Sequence, residues 1–249
     1  MVDASSVLIT AICDDGVFNA EAQRRREVFG VKNKTIISAL VRERRCGEAA
    51  QEAWLGVADG ADTVIFDLSE MPKESLTADT YRKLVKCVPV PVSFCCYDLS
   101  DSKRLPPIDG PMVEAASCGA AYVDVSPSTV AAAKERGAKV IISEHLLDRS
   151  ASFDEAKEIF RRQRDAGADV AKLVARMDTQ DEFEDAKRVM AYLRDEFDLP
   201  WIYLGLGTHG FEQRFLGPEY GAAMTFALHR PFPGKKDQPL IKDFKEKSK

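Results

Sequence analysis

The stretch "AKVIISEHLLDRSASFDEAKEIFRRQRDAGADVAKLVA" (residues 138–175) contains one complete strand–helix–strand unit. Residues 138–145 and residues 169–175 are short apolar runs rich in β-branched side chains, which is typical of buried strands. Residues 152–167 between them begin with Ser152 followed three residues later by Glu155, the sequence of a helix capping box. A strand, a helix and a strand joined by short loops predict two parallel strands covered by a helix.

The same alternation continues from residue 34 onward. Further strands are predicted at 34–41, 62–70, 90–98, 121–126, 201–207 and 222–228, and further helices at 46–60, 77–87, 111–119, 127–137 and 179–197. Eight such units predict an α/β protein and favour a closed (β/α)8 TIM barrel over an open doubly wound sheet. We expect residues 1–249 to form a single barrel domain, with residues 1–33 as an N-terminal extension or a cap on the barrel bottom. The charged end, residues 242–249, is expected to be a frayed or helical surface tail.

Composition narrows the range of partners and compartments. The chain has 249 residues, 45 % hydrophobic and 30 % charged, and a formal net charge of −5, which argues against nucleic acid or an anionic membrane surface as a partner. The basic clusters at 24–26 and 42–45 lie among acidic residues and are expected to be solvated faces. No basic leader followed by an apolar run precedes the first strand, and no apolar stretch approaches the roughly 18 residues that a membrane span needs. Six cysteines without a Cys-x-x-Cys pair predict free thiols in a reducing cytoplasm and no zinc site.

The sixth strand carries an unexpected charge, because Lys172 lies among Val170, Ala171, Leu173 and Val174. In a (β/α)8 barrel the active site is at the carboxyl ends of the strands, and alternate strand residues point inward. A barrel interior disfavours the charged form of an amine, which predicts a nucleophilic lysine of the kind that forms Schiff bases with carbonyl substrates. The alternative is a lysine at the strand end that reaches solvent.

His145 ends the fifth strand, 27 residues before Lys172, and one strand–helix–strand step of this length places the two on neighbouring strands. A histidine suits proton transfer near neutral pH, so the pair predicts elimination or aldol chemistry next to a ketone. A structural hydrogen bond at a loop edge is the alternative for His145.

The segment "GLGTHG" (205–210) matches Gly-x-Gly-x-x-Gly but follows the seventh strand. Dinucleotide-binding glycines of this spacing belong to the first strand–helix turn, so a nucleotide site is disfavoured. The remaining interpretations are a backbone nest for an anion at the barrel mouth, or close packing of the backbone. Arg214 follows this loop and could bind a carboxylate or a phosphate, or be a surface arginine of a helix.

These motifs together resemble the type I 3-dehydroquinate dehydratases. The family's "vIiSxHdF" and "GADivKiA" strands correspond to "VIISEHLL" and "GADVAKLVA", and "IYLGLGTHGFEQRFLGPEYGAAMTFA" (202–227) resembles the family's late arginine-containing segment. The resemblance implies a homodimeric (β/α)8 barrel without metal or cofactor, a Schiff base on Lys172 and acid–base catalysis by His145. It also implies that Arg214 binds the substrate carboxylate. Lys235 stands where the family has a late glutamine, and Ser38 and Lys235 are further expected substrate-binding residues.

Several family motifs are altered, two of them on the second and third strands. The second strand of the family reads "ElRxD", whereas Ile65, Asp67 and Ser69 align here; Tyr97 stands where the third strand normally ends in arginine. Loss of several charged contacts, each contributing on the order of 1.5–3 kcal/mol, predicts altered recognition around retained covalent chemistry. Asp67 and Tyr97 are expected to make new polar contacts with the substrate. The alternatives are that Asp67 caps the end of its strand and that Tyr97 is an aromatic residue at the barrel rim.

Three functions are therefore open. The first is a dehydratase that acts on 3-dehydroquinate or on a related, less polar cyclic oxo-carboxylic acid. The second is a class I aldolase that uses the same lysine on a keto-acid or phosphorylated substrate. The third is a non-catalytic binding or regulatory homologue.

Overall fold

The structure is a computed structural model that describes residues 34–232 and 237–247. Its centre is an eight-stranded parallel sheet in the order β7-β6-β5-β4-β3-β2-β1-β8. The strands are β1 (Ile36–Val41), β2 (Thr63–Asp67), β3 (Val92–Cys95), β4 (Tyr122–Asp124), β5 (Lys139–Leu146), β6 (Val170–Arg176), β7 (Trp201–Leu206) and β8 (Met224–Ala227). The amide of Ala223, just before β8, donates to the carbonyl of Trp201 in β7 at 2.9 Å, so the sheet nearly closes into the expected barrel.

Helices connect successive strands. They are α1 (Cys46–Ala58), α2 (Ala78–Lys86), α3 (Asp109–Ala116), α4 (Val130–Lys134), α5 (Phe153–Asp165), α6 (Gln180–Asp195), α7 (Gly210–Glu219) and α8 (Ile241–Lys247). The predicted cap of α5 is present, because the Ser152 side chain accepts from the Glu155 amide. At α6, Thr179 and Glu182 form a complete capping box, which satisfies amides that the first helical turn leaves unpaired.

Apolar side chains fill both faces of the sheet. The inner cluster includes Ile65, Ile141, Val174, Ile202 and Phe226, and the outer cluster lies between the strands and the helices. Burial of both faces is the expected condition of a parallel sheet covered by helices, and it explains why these strands read as continuous apolar runs. A charged residue on the inner face is therefore removed from water unless it lies at the barrel mouth.

The C-terminal segment is helical, but it does not form a purely surface tail. Ile241 and Phe244 of α8 are buried, and the Phe244 ring lies 4.6 Å from that of Phe215 in α7. The expectation of a frayed end is wrong for residues 241–247, because these two side chains fix the helix to the outer core.

Some expectations fall outside the described residues, namely the role of residues 1–33 and the position of Lys235. The five cysteines in the described part of the chain have free thiols. No helix in residues 34–232 or 237–247 is long and apolar enough to cross a membrane.

Candidate active site

Lys172 lies inside the barrel and does not reach solvent. Its side chain is 3 % exposed, and its Nζ donates to the Tyr97 hydroxyl at 2.9 Å and to Asp124 Oδ2 at 3.1 Å. The same ammonium lies 5.3 Å from the centre of the Phe226 ring, which is a cation–π distance. The strand-end alternative for Lys172 is therefore wrong, and the charge of this apolar strand is matched by a buried carboxylate.

Asp124, the last residue of β4, organises the groups around the lysine. It is fully buried, and its Oδ2 accepts from the Tyr97 hydroxyl at 2.6 Å as well as from Lys172. Its Oδ1 accepts from the Ser143 hydroxyl at 2.8 Å. We call Lys172, Tyr97, Asp124 and Ser143 the lysine cluster. Burial, together with the charge of Asp124, raises the pKa of Tyr97 well above its usual value, so this hydroxyl keeps its proton.

His145 lies beside the lysine cluster on the neighbouring strand. In the β5–β6 register Ser143 is opposite Lys172 and His145 is opposite Val174, so the imidazole is two residues nearer the carboxyl end. Its ring meets the Tyr97 ring edge to face at 4.7 Å. Burial, reinforced by the positive charges of Lys172 and Arg42, lowers the pKa of His145 well below 6.5. Its Nδ1 is buried and has no hydrogen-bond partner among the described residues. A neutral imidazole of this kind can accept a proton.

Both carboxylate oxygens of Asp67 are hydrogen-bonded to other residues of the protein. Its Oδ2 accepts from Arg42 Nε at 2.8 Å and from a terminal nitrogen of the same guanidinium, and its Oδ1 accepts from the amide and the hydroxyl of Ser69. Direct contact of Asp67 with substrate stays a prediction, as does that of Tyr97, and both side chains already have partners here. The expectation that Arg42 is part of a solvated face is wrong, because its side chain is 26 % exposed and paired with a buried carboxylate.

Two other predicted binding residues are buried with unpaired donors. Arg214 in α7 is 3 % exposed, so it is not a surface arginine. Its Nε donates to the Gly205 carbonyl at 3.2 Å, while one terminal nitrogen has no partner in the described part of the chain. Burial lowers the pKa of Arg214 to about 10, against the opposing charge of Asp237. The Ser38 hydroxyl on β1 is also buried and without a partner there.

Two backbone amides of the loop 205–210 donate hydrogen bonds to aspartate side chains of the protein. The Gly207 amide donates to Asp237 at 3.2 Å, and the Thr208 amide donates to Asp178 at 3.0 Å. A β-carbon at Gly205 would come 2.9 Å from the Cα of Gly210, closer than real contacts allow. The prediction of an anion nest is therefore wrong for these amides, and close packing of β7 against α7 explains the first and last glycines.

A loop covers part of the barrel mouth. The segment 98–108 leaves β3, and Leu105 packs against the inner cluster. The Lys103 carbonyl accepts from the Leu147 amide at 3.0 Å, which ties this loop to the end of β5. No group of three or more His, Cys, Asp or Glu side chains suited to a metal ion occurs in residues 34–232 and 237–247.

Fold and site together define a (β/α)8-barrel protein with a buried lysine–carboxylate pair on its inner strands. The family model of type I 3-dehydroquinase matches residues 109–243, a little more than half of the chain. The chain belongs to this family, as the sequence motifs predicted.

Curated relatives agree with this assignment. The chain is 36 % identical over 107 residues to the 3-dehydroquinate dehydratase of Alkaliphilus oremlandii, which is 42 % of this chain and 41 % of that protein. It is 32 % identical over 98 residues to the enzyme of Methanosarcina barkeri, covering 39 % and 40 % of the two chains. The matched segment thus spans about two fifths of the length of these relatives.

Solved structures resemble the barrel over most of its length. The 3-dehydroquinate dehydratase of Geobacillus kaustophilus has a TM-score of 0.75 at 17 % identity, over 86 % of this chain and 90 % of that chain. The type I enzyme of Clostridium difficile, solved with covalently modified comenic acid, has a TM-score of 0.75 at 15 % identity over 86 % and 91 %. At these identities the likeness establishes the fold alone.

Proposed function

We propose that the protein is a carbon–oxygen lyase that dehydrates a cyclic oxo-carboxylic acid through a Schiff base on Lys172. The observation that carries the proposal is the buried pair of Lys172 and Asp124. His145, whose pKa is lowered well below 6.5, lies on the neighbouring strand two residues beyond the position opposite Lys172. The curated relatives are named 3-dehydroquinate dehydratase, which supports a dehydration rather than another reaction of an imine.

The proposed reaction begins when the Lys172 amine adds to the substrate ketone and water leaves, forming a protonated imine. This imine withdraws electrons from the adjacent carbon, so a C–H bond there becomes acidic. The neutral His145 accepts that proton, and the electron pair passes into an enamine. The protonated His145 then donates to the hydroxyl on the next carbon, which leaves as water as the electron pair returns. Hydrolysis of the conjugated imine releases the product and restores the lysine.

Recognition in this proposal rests on Arg214. The buried guanidinium has one terminal nitrogen without a hydrogen-bond partner among the described residues, and a substrate carboxylate would supply an acceptor for it. The family's glutamate and arginine positions on the second strand are Ile65 and Asp67, and Asp67 is hydrogen-bonded to Arg42. We therefore propose a substrate that is either 3-dehydroquinate or a related oxo acid with fewer hydroxyl groups facing β2.

The decisive experiment combines turnover with trapping. The protein is incubated with 3-dehydroquinate, product formation is followed by ultraviolet absorbance of the conjugated ketone, and a parallel sample is reduced with borohydride. We expect dehydration and a mass increase on the peptide that contains Lys172. Lys172→Met should abolish both, whereas Lys83→Ala, at an exposed position of α2, should change neither.

The remaining functions correspond to other outcomes of the same experiment. Trapping on Lys172 with carbon–carbon cleavage products would indicate an aldolase. Absence of an adduct with 3-dehydroquinate and with simpler oxo acids would refute the Schiff-base proposal and favour a binding homologue. The occupied amides of the loop 205–210 weigh against a phosphorylated substrate held there.

A further inference from the structure

We infer that Asp124, working with the Tyr97 hydroxyl, removes the proton from Lys172 before imine formation and returns it to the departing water. This inference rests on the proposed function, since it concerns the first step of the same covalent chemistry. The proton transfers at the lysine nitrogen are thereby assigned to Asp124 and Tyr97, and not to His145.

The geometry provides two routes for the proton. Lys172 Nζ donates directly to Asp124 Oδ2 across 3.1 Å. It also donates to the Tyr97 oxygen at 2.9 Å, while the Tyr97 hydroxyl donates to the same Oδ2 at 2.6 Å. Through the second route Tyr97 gives its proton to Asp124 as it takes one from the lysine, and no tyrosinate accumulates. The bond from Ser143 to Oδ1 fixes the carboxylate so that Oδ2 faces the nitrogen.

The steps balance without any other reagent. An ammonium on Lys172 and a carboxylate on Asp124 become an amine and a carboxylic acid. The amine nitrogen bonds to the carbonyl carbon, the carbonyl electron pair moves to oxygen, and a proton shift from nitrogen to oxygen gives the carbinolamine. Asp124 then returns its proton to the carbinolamine hydroxyl, the carbon–oxygen bond breaks, and the nitrogen lone pair forms the protonated imine. In sum, an ammonium and a ketone give a protonated imine and water, and the carboxylate is regenerated.

His145 contacts the lysine cluster in a different way. Within the described residues it makes no hydrogen bond to Lys172, and its register position is two residues nearer the barrel mouth. Its contact with the cluster is the ring packing against Tyr97. Asp124 and Tyr97 thus serve the nitrogen, and His145 is left for the substrate carbons.

Proton transfer inside the pair predicts a distinctive pH dependence. The pair already contains the proton that it shuttles, so the rate of imine formation should not depend on pH while that proton remains. Among the described residues, the ionisable groups around the lysine cluster include Cys95 of β3, Asp67 of β2, His145 of β5 and Arg42. Burial moves the pKa of Cys95 well above and that of His145 well below the usual values, so neither titrates near neutral pH.

The test measures the rate at which the Lys172 peptide becomes trapped. The 249-residue chain is mixed with 3-dehydroquinate, or with glyoxylate as a small carbonyl probe, and samples are quenched into borohydride at successive times. The series is repeated at pH values from about 5.5 to about 8.5. The wild-type rate should be flat across this range. Asp124→Asn should be slower by about 100-fold or more at the acid end and should rise about tenfold per pH unit, since solvent must then remove the proton. Tyr97→Phe should be slower by about tenfold and stay flat.

Tyr81→Phe is the matched control, because the Tyr81 hydroxyl is buried in the outer layer without a partner among the described residues; it should trap at the wild-type rate. Near-ultraviolet circular dichroism verifies that each variant is folded. Wild-type rates in both Asp124→Asn and Tyr97→Phe would overturn the inference while leaving the Schiff-base function intact. If Asp124→Asn does not fold, a wild-type rate in Tyr97→Phe overturns it alone. Absence of an adduct in the wild type would overturn the function as well.

Discussion

Stability of the fold should decrease below neutral pH because of one buried histidine. Burial, with the charges of Lys172 and Arg42, holds the pKa of His145 well below 6.5 in the folded chain, whereas the unfolded chain binds a proton at about pH 6.5. Protonation therefore favours the unfolded state as pH falls. The stabilising contribution is present above pH 6.5 or so and is lost progressively on acidification.

The size of the effect follows from proton linkage. If His145 stays neutral in the folded state down to about pH 5.5, lowering the pH from about 7.5 to about 5.5 costs about 1.4 kcal/mol of unfolding free energy through this residue. His145→Gln retains a polar side chain but binds no proton in either state. Its unfolding free energy should therefore fall by about 1.4 kcal/mol less than that of the wild type over the same interval.

Urea denaturation at these two pH values, followed by circular dichroism, provides the measurement. Ile141→Val is a suitable control, because it removes a buried methyl from the same strand and should cost about 1 kcal/mol equally at both pH values. Other carboxylates and histidines titrate in all three proteins, so only the difference between variants is used. Parallel pH dependences of the wild type and His145→Gln would refute the assignment of a neutral buried imidazole.

Three further predictions concern Arg214, the Arg42–Asp67 pair and Gly205. Arg214→Met should raise the KM for an oxo-carboxylate at least about tenfold, and an unchanged KM would contradict a carboxylate contact. The unfolding free energy should stay equal or rise, because the substitution removes a buried donor that has no partner among the described residues. Arg42→Met should lower the unfolding free energy measured by urea denaturation by about 2–4 kcal/mol, because it leaves the buried Asp67 carboxylate without its guanidinium. Adding Asp67→Asn should restore much of this free energy, and additive effects of the two substitutions would contradict coupling of the pair. Gly205→Ala should lower the unfolding free energy by about 1–3 kcal/mol, because the added methyl forces β7 and α7 apart. Gly47→Ala is the control, since a β-carbon at Gly47 meets no atom within 4 Å, and it should not lower the unfolding free energy. Equal stability of the two variants would contradict close packing at Gly205.

The bounds predicted for the eight strands and for helices α1 to α6 lie within about three residues of the observed ones. The strand predicted at 169–175 is Val170–Arg176, and that predicted at 121–126 is Tyr122–Asp124. Helix α7 was not predicted, because Gly210, Gly217 and Pro218 lower its intrinsic helix propensity. It forms where its buried residues pack onto β7, which is a tertiary effect.

The site divides in the same way. Lys172 and His145 were found because strand alternation placed two reactive side chains inward on neighbouring strands. Asp124 carried the same signal, a charge inside an apolar strand, and could have been paired with Lys172 on that ground. Arg42 was missed because Glu43 and the two arginines that follow it resemble a solvated charged face.

The sequence by itself determined the eight strands, most of the helices between them, the inward faces of the strands and the residues able to form an imine. These depend on periods of two and 3.6 residues, which are local properties of the chain. Only the tertiary structure decided which charges meet. Lys172 and Asp124 are 48 residues apart and lie on β6 and β4, with Ser143 on the strand between. Their contact is set by strand register and by curvature of the nearly closed sheet, which no local pattern encodes. For that reason the fold and the nucleophile were predictable, whereas the groups that would control its proton were not.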